Sequence, residues 1–135
     1  MEETHHPTVR IFVYGTLRRG ESNDINRRHA TPLGSGKIRG FLYDLQTCPG
    51  VLLSAVGFEV VGEVHEIPAG LIPALDELES GCGDFRRRVV LADIGGGRSV
   101  SCLVYESGPG QVRNAELIRS GDWVSHRRGL VPAGA

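Results

Sequence analysis

Excess charge of one sign, long apolar runs and an even set of cysteines are all missing from this sequence, and each absence removes a class of protein. The 15 basic and 16 acidic residues leave a net charge of -1, which gives no overall pull toward nucleic acid or a membrane surface. No apolar run approaches membrane-spanning length. Met1–Pro7 is acidic and polar, with nothing apolar to act as a signal segment. The three cysteines, Cys48, Cys82 and Cys102, are odd in number and widely spaced. That argues against a disulfide framework or a Cys-based zinc site, and it fits a reducing cytoplasm. Aromatic residues are scarce at 6%, and none is interleaved in the Arg86-Arg87-Arg88 run to stack on bases. In a strand, moreover, Arg87 points away from its two neighbours, so nucleic-acid binding is not expected.

What remains is an ordinary soluble composition, 40% hydrophobic and 23% charged, with 19 glycines that favour turns and strands over a helical bundle. At 135 residues there is room for one domain with a proper core. The reading places that domain at residues 9–127, with a flexible start at 1–8 and a loose tail at 128–135. Strands are expected at Val9–Val13 and Phe58–Ile67, and at Phe85–Asp93 paired with Arg98–Tyr105 across Gly95-Gly96-Gly97. Gly34, Gly36 and Gly40 suggest a hairpin-like region, and Asn23 a cap for a short helix reaching His29. Cys48-Pro49-Gly50 reads as a turn. In the strand holding Val64, His65 falls opposite it with Glu63 and is expected to face outward.

The first strand stops abruptly at Gly15. Such a turn either simply reverses the chain or points several N–H groups at one spot, making a small anion nest. Gly15 and Gly20 share the spacing of the glycines in a phosphate-binding P-loop. The following position, however, is Glu21 where that motif needs lysine, and a nucleoside triphosphatase is excluded.

The clearest helix covers Ala69–Glu79, where Leu71, Ile72, Leu75 and Leu78 form one stripe. Glu77 lies opposite the stripe, while Glu79 falls inside it. An acid there caps something, pairs with a cation, faces a cavity, or sits where the helix frays before Gly81. Burial without a partner would raise its pKa, as acid/base catalysis requires. Arg87 alternates with Phe85, Val89 and Leu91, which makes it a candidate partner on an apolar face. Cys82 has no histidine tied to it by sequence and reads as structural.

Val13-Tyr14-Gly15-Thr16-Leu17-Arg18-x-Gly20, Gly40-x-Leu42-Tyr43-Asp44 with Pro49-Gly50, and Val61-Gly62-Glu63-Val64 follow in order along the chain. Leu75-Asp76-x-Leu78-Glu79, Phe85-x-Arg87, Val104-Tyr105 and Ser120-Gly121-Asp122-Trp123 complete the series. With these motifs the chain resembles the gamma-glutamylcyclotransferase-like family, in particular its gamma-glutamylamine cyclotransferase branch. The resemblance implies an α+β fold, a small mixed β-barrel-like sheet with a few short helices packed against it. It implies a cofactor-free, metal-free enzyme that cyclises a gamma-glutamyl amide to 5-oxoproline and frees an amine or amino acid. Glu79 matches the family's catalytic glutamate. Tyr14, Gly15, Thr16 and Leu17, with Arg87 and Tyr105, are the implied substrate-binding residues. Phe85 stands where the family usually has Tyr, and Ser80 where Gly is common. The competing reading is a non-catalytic module that binds a small metabolite on the same fold.

Overall fold

In the computed structural model residues 7–129 are described. The strands are β1 (Thr8–Val13), β2 (Thr31–Asp44), β3 (Pro49–Leu53) and β4 (Phe58–Pro68), followed by β5 (Phe85–Gly95), β6 (Arg98–Ser107) and β7 (Glu116–Leu117). Helix α1 (Ile72–Ser80) lies between β4 and β5, and α2 (Trp123–Arg127) follows β7. Strands β2, β4, β1, β6 and β5 are neighbours in that order, and β5 returns to β2 through the pair Lys37–Asp93. The sheet therefore closes into a five-stranded barrel. It is mixed, since β1 runs antiparallel to β4 but parallel to β6, where Ile11 pairs with Leu103. This is the α+β barrel expected from the sequence.

The Ile11–Val13 end of β1 is an unbroken apolar run because it is covered on both faces. Phe12 packs into the barrel interior with Val60, Val64 and Val104. Ile11 and Val13 face outward into a second apolar layer with Ile72 and Leu75 of α1. Leu75 is fully buried, a burial that contributes about 2 kcal/mol. The helix is thereby pinned across the end of β1, with its last turn beside the residues that follow that strand.

Several expectations need correction. The glycines at 34, 36 and 40 do not make a hairpin, because β2 is one continuous strand with a register shift between Pro32 and Gly34. Glycine in a barrel strand marks a bulge or a close approach rather than a reversal. Asp24, not Asn23, caps a 3-10 turn at Ile25–Arg28 by accepting from the Asn26 N–H. His65 is buried, not outward-facing, and its Nε2 lies 3.0 Å from a Glu63 carboxylate oxygen. The Val89–Leu91 face of β5 is solvent-exposed instead of apolar-packed. Cys48 and Cys82 are joined by a disulfide, and Cys102 is the buried free cysteine. An odd count hid the pair because one thiol serves as core packing. The hairpin across Gly95–Gly97 is as expected, with all three glycines at positive φ.

Thr8 opens β1, and Arg128 pairs with Glu21. The other residues of the expected loose ends at 1–6 and 130–135 lie outside the described residues. No helix among the described residues is long and apolar enough to cross a membrane.

Candidate active site

β1 releases the chain at Val13, and the next residues turn sharply. The Arg18 N–H donates to the Gly15 carbonyl at 3.0 Å, while the N–H groups of Asn23 and Ile25 donate to the carbonyls of Thr16 and Leu17. Thr16 Oγ1 accepts from the Asn23 amide at 3.2 Å. These bonds use the turn's carbonyls. Among the described residues, the N–H groups of Gly15, Thr16 and Leu17 donate to no backbone or side-chain acceptor. A turn with its donors free can serve as an anion nest.

Gly15 is needed for space. A Cβ there would lie 2.6 Å from two ring carbons of Pro49, so the turn and the start of β3 meet without a side chain between them. Arg18 fastens the turn from behind. Its guanidinium lies 2.8 Å from an Asp122 oxygen and 3.5 Å from a Glu63 oxygen. Asp122 also caps α2 by accepting from the Val124 and Ser125 N–H groups. Glu21, the residue that excluded a P-loop, is buried and holds Arg127 through two hydrogen bonds.

A cleft opens in front of the turn, lined by Tyr14–Leu17, Cys48, Pro49, Tyr105 and Glu79. Glu79 arrives from the last turn of α1, on the stripe side as its helical phase required. Its carboxylate makes no hydrogen bond or ion pair with any described residue, and burial lifts its pKa to about 7. Glu77 is exposed on the other side of the helix. Glu79 also borders a second, wider cleft with Asp76, Ser80, Phe85, Arg87 and Tyr105.

The structure brings Tyr14, Gly15, Thr16, Leu17, Tyr105 and Glu79 to one cleft, but it does not pair Arg87 with Glu79. The Arg87 Nε lies 3.2 Å from Asp76 Oδ1, and both side chains are half-exposed. Arg87 therefore borders only the wider cleft. The apolar-face argument failed because that face of β5 meets solvent. Sequence reasoning missed Asp76, which accepts from the Tyr105 hydroxyl at 2.7 Å, and it missed Cys48 as a wall. A signal for Asp76 existed. The hairpin register sets Arg87 opposite Tyr105, so both share a face that an acid near the edge of the helical stripe can reach.

The sequence pattern of the family described as "Gamma-glutamyl cyclotransferase, AIG2-like" matches residues 11–125. The chain belongs to that family. Within this cyclotransferase family it is 33% identical over 117 residues to the Escherichia coli gamma-glutamylcyclotransferase family protein YtfP, covering 86% of this chain and 96% of the relative. It is 39% identical over 102 residues to the gamma-L-glutamyl-butirosin B gamma-glutamyl cyclotransferase of Niallia circulans, covering 73% of this chain and 59% of that protein. Among solved structures, a mouse AIG2-like protein superposes with a TM-score of 0.70 at 26% identity, covering 97% of this chain and 99% of the mouse chain. The chain is thus an enzyme of this family with the family's barrel.

Asp44, Glu116 and His126 bring their ligand atoms within 4.8 Å of one another. Their Asp44–His126 contact of 2.8 Å is a hydrogen bond at the β2–β7 edge, and none of the three lines either cleft bordered by Glu79.

Proposed function

We propose that the protein converts a gamma-glutamyl amide into 5-oxoproline and a free amine, with Glu79 moving the proton. The observation that carries this reading is a single unpaired carboxyl, lifted to about 7, facing the free N–H groups of the Gly15–Leu17 turn across one cleft. The substrate's α-nitrogen must lose a proton before it attacks the side-chain carbonyl carbon, and the leaving nitrogen must gain one. A carboxylate that titrates near neutrality takes the first proton and returns it to the second nitrogen. The turn's N–H groups suit either the substrate carboxylate or the oxyanion that develops on the attacked carbonyl. Folding the flexible glutamyl chain into the narrow cleft supplies proximity.

The leaving amine is assigned to the wider cleft beyond Glu79, where Asp76, Arg87 and Ser80 leave room for polar groups. No metal or organic cofactor is required by this chemistry. The same reading takes a small gamma-glutamyl compound as partner, the near-zero net charge giving no pull toward nucleic acid or membrane. It keeps the cytoplasm as compartment, although the cysteine argument for that gives way to the Cys48–Cys82 disulfide. A pure binding module would gain nothing from an acid held at the edge of ionisation.

Incubation with a panel of gamma-glutamyl amines and amino acids tests this directly. Equal amounts of 5-oxoproline and free amine are expected, with Glu79→Gln inactive but folded and Glu77→Gln active. Free glutamate as product would mean hydrolysis by water. A Glu79→Gln protein as fast as wild type would remove the proposed base.

A further inference from the structure

The disulfide between Cys48 and Cys82 joins segments 34 residues apart, one in the wall of the cleft proposed to bind substrate and the other just past the helix that carries Glu79. Cys48 is itself part of the cleft wall. It directly precedes Pro49, whose ring packs where a Gly15 Cβ would be. Cys82 follows the last turn of α1, and its N–H donates to the Glu79 carbonyl at 2.9 Å. The bond therefore ties the wall facing the N–H turn to the helix end that carries the proposed base. We infer that Cys48 and Cys82 form a reversible dithiol–disulfide site, and that its oxidised form holds the cleft in its binding shape.

Three features support exchange rather than a permanent staple. The two sulfurs are unequally accessible. Cys48 is buried, whereas Cys82 is half-buried and lines an open outer cleft with Asp44, Gln46 and Gln111. A small thiol can thus reach Cys82 from solvent without entering the substrate cleft. The Cα atoms are 6.5 Å apart, within bridging range, so the bond forms without rearranging the two segments. The two segments also have separate anchors, the wall being held to β2 by the Leu45 N–H donating to the Cys48 carbonyl at 2.9 Å and by the pairing of Pro49 and Gly50 with Asp44 and Tyr43. Gln111 holds the Cys82 segment by donating to the Cys82 carbonyl and accepting from the Asp84 N–H. Among the described residues the one side-chain hydrogen bond between the Thr47–Cys48 turn and that segment is a long one, Thr47 Oγ1 to Cys82 Sγ at 3.7 Å. Reduction would leave each segment on its own anchors and remove the tie between them.

The exchange balances as two steps. An external thiolate attacks Cys82 Sγ, forming a mixed disulfide and expelling Cys48 as thiolate, which takes up a proton. A second external thiolate attacks the external sulfur of the mixed disulfide, expelling Cys82 as thiolate. Two small-molecule thiols become one disulfide, and the protein gains two thiols. Small-molecule disulfides drive the reverse direction.

The test uses the wild-type protein equilibrated across a series of reduced and oxidised glutathione mixtures. Alkylation followed by mass spectrometry counts the thiols. Calorimetry measures 5-oxoproline affinity, and amide hydrogen exchange reports on residues 14–17 and 48–50. The thiol count should switch within the series. The reduced form should bind 5-oxoproline roughly tenfold more weakly, because the two sides of the cleft must then be fixed relative to one another on binding, and its amides in both segments should exchange faster. Cys82→Ser should behave as the reduced form at every ratio, while Cys102→Ala should keep the response. A thiol count that never changes, or identical exchange at residues 14–17 in both forms, would overturn the inference. It rests on the proposed function only for its ligand arm. If 5-oxoproline binds neither form, that reading fails, and the exchange data still decide the coupling.

Discussion

The Tyr14 hydroxyl donates to the main-chain carbonyl of Tyr105 at 2.6 Å, and the Tyr105 hydroxyl in turn donates to Asp76 at 2.7 Å. The turn after β1, strand β6 and helix α1 are thereby cross-braced around the cleft. Burial, with the Glu79 charge adding to it, pushes the Tyr14 phenol well above its ordinary range. Burial also raises the Tyr105 phenol, reinforced by its bond to Asp76. Both phenols are donors at every working pH, so bracing rather than proton transfer is their contribution. Tyr14→Phe is expected to lower stability by about 1–2 kcal/mol, because the buried Tyr105 carbonyl loses its donor. The pH dependence of the remaining activity should be unchanged. Urea denaturation and a pH–rate profile check the two parts.

The proposed base sets that profile. Glu79 acts when ionised, so kcat/KM should rise with pH along a limb centred near 7. A limb centred near 4.5 would mean that the acting carboxyl is solvated, and Glu79 would lose its role.

Linkage gives a second signature that needs no substrate. Glu79 has its folded pKa raised above the ordinary carboxylate value, so its protonated form is favoured by folding. Its effect on stability vanishes below about pH 4.5, where folded and unfolded chains are both protonated. Between that value and about 7 the unfolded chain ionises first, and stability falls as pH rises. Glu79→Gln should match wild type at pH 4 and exceed it at pH 8, by on the order of 2 kcal/mol. Thermal melts at the two pH values measure the difference.

Gly15→Ala should weaken both the fold and the site. Its methyl carbon would press on the Pro49 ring, and a clash of this kind in a packed region costs about 1–3 kcal/mol. The loss of 5-oxoproline affinity should exceed that of a matched substitution on the exposed hairpin, such as Ser99→Ala. Calorimetry on folded fractions of both variants separates the two effects.

Asp122→Ala removes the α2 cap and one partner of Arg18 together. Stability should drop by about 1 kcal/mol from the lost cap. KM should rise more than kcat falls, since Arg18 fastens the turn from behind without touching the cleft. Steady-state kinetics reads the split.

What the sequence revealed follows the range of the forces involved. Glu79 was legible because a helix repeats every few residues, so its phase against Leu75 and Leu78 is a local property. The Gly15 turn and the Gly95–Gly97 hairpin were legible for the same reason. His65 was misjudged because alternation assigns faces, not covers. Arg19, Asp24 and Asn26 come to one cleft with Glu63 and His65, and Pro32 is the strand neighbour of His65. Arg87 was misjudged in the opposite sense, its face of β5 being left bare. The Cys48–Cys82 pair joins segments whose meeting depends on how the barrel packs α1 against β3, and no local pattern encodes that meeting.

Parallel pairing of β1 with β6 bears on how the protein comes into being. Ile11 finds Leu103 only after almost the whole domain has left the ribosome, and β1 can settle between its two neighbours only then. Contacts this distant in sequence slow folding, because a long loop must close before any bond rewards it. The β5–β6 hairpin and the β2–β4 ladder can form earlier from nearer segments. The cleft wall that Tyr105 of β6 sets beside the turn after β1 comes only with that late pairing. A nascent or truncated chain that stops short of β6 has every residue of that turn and no binding site.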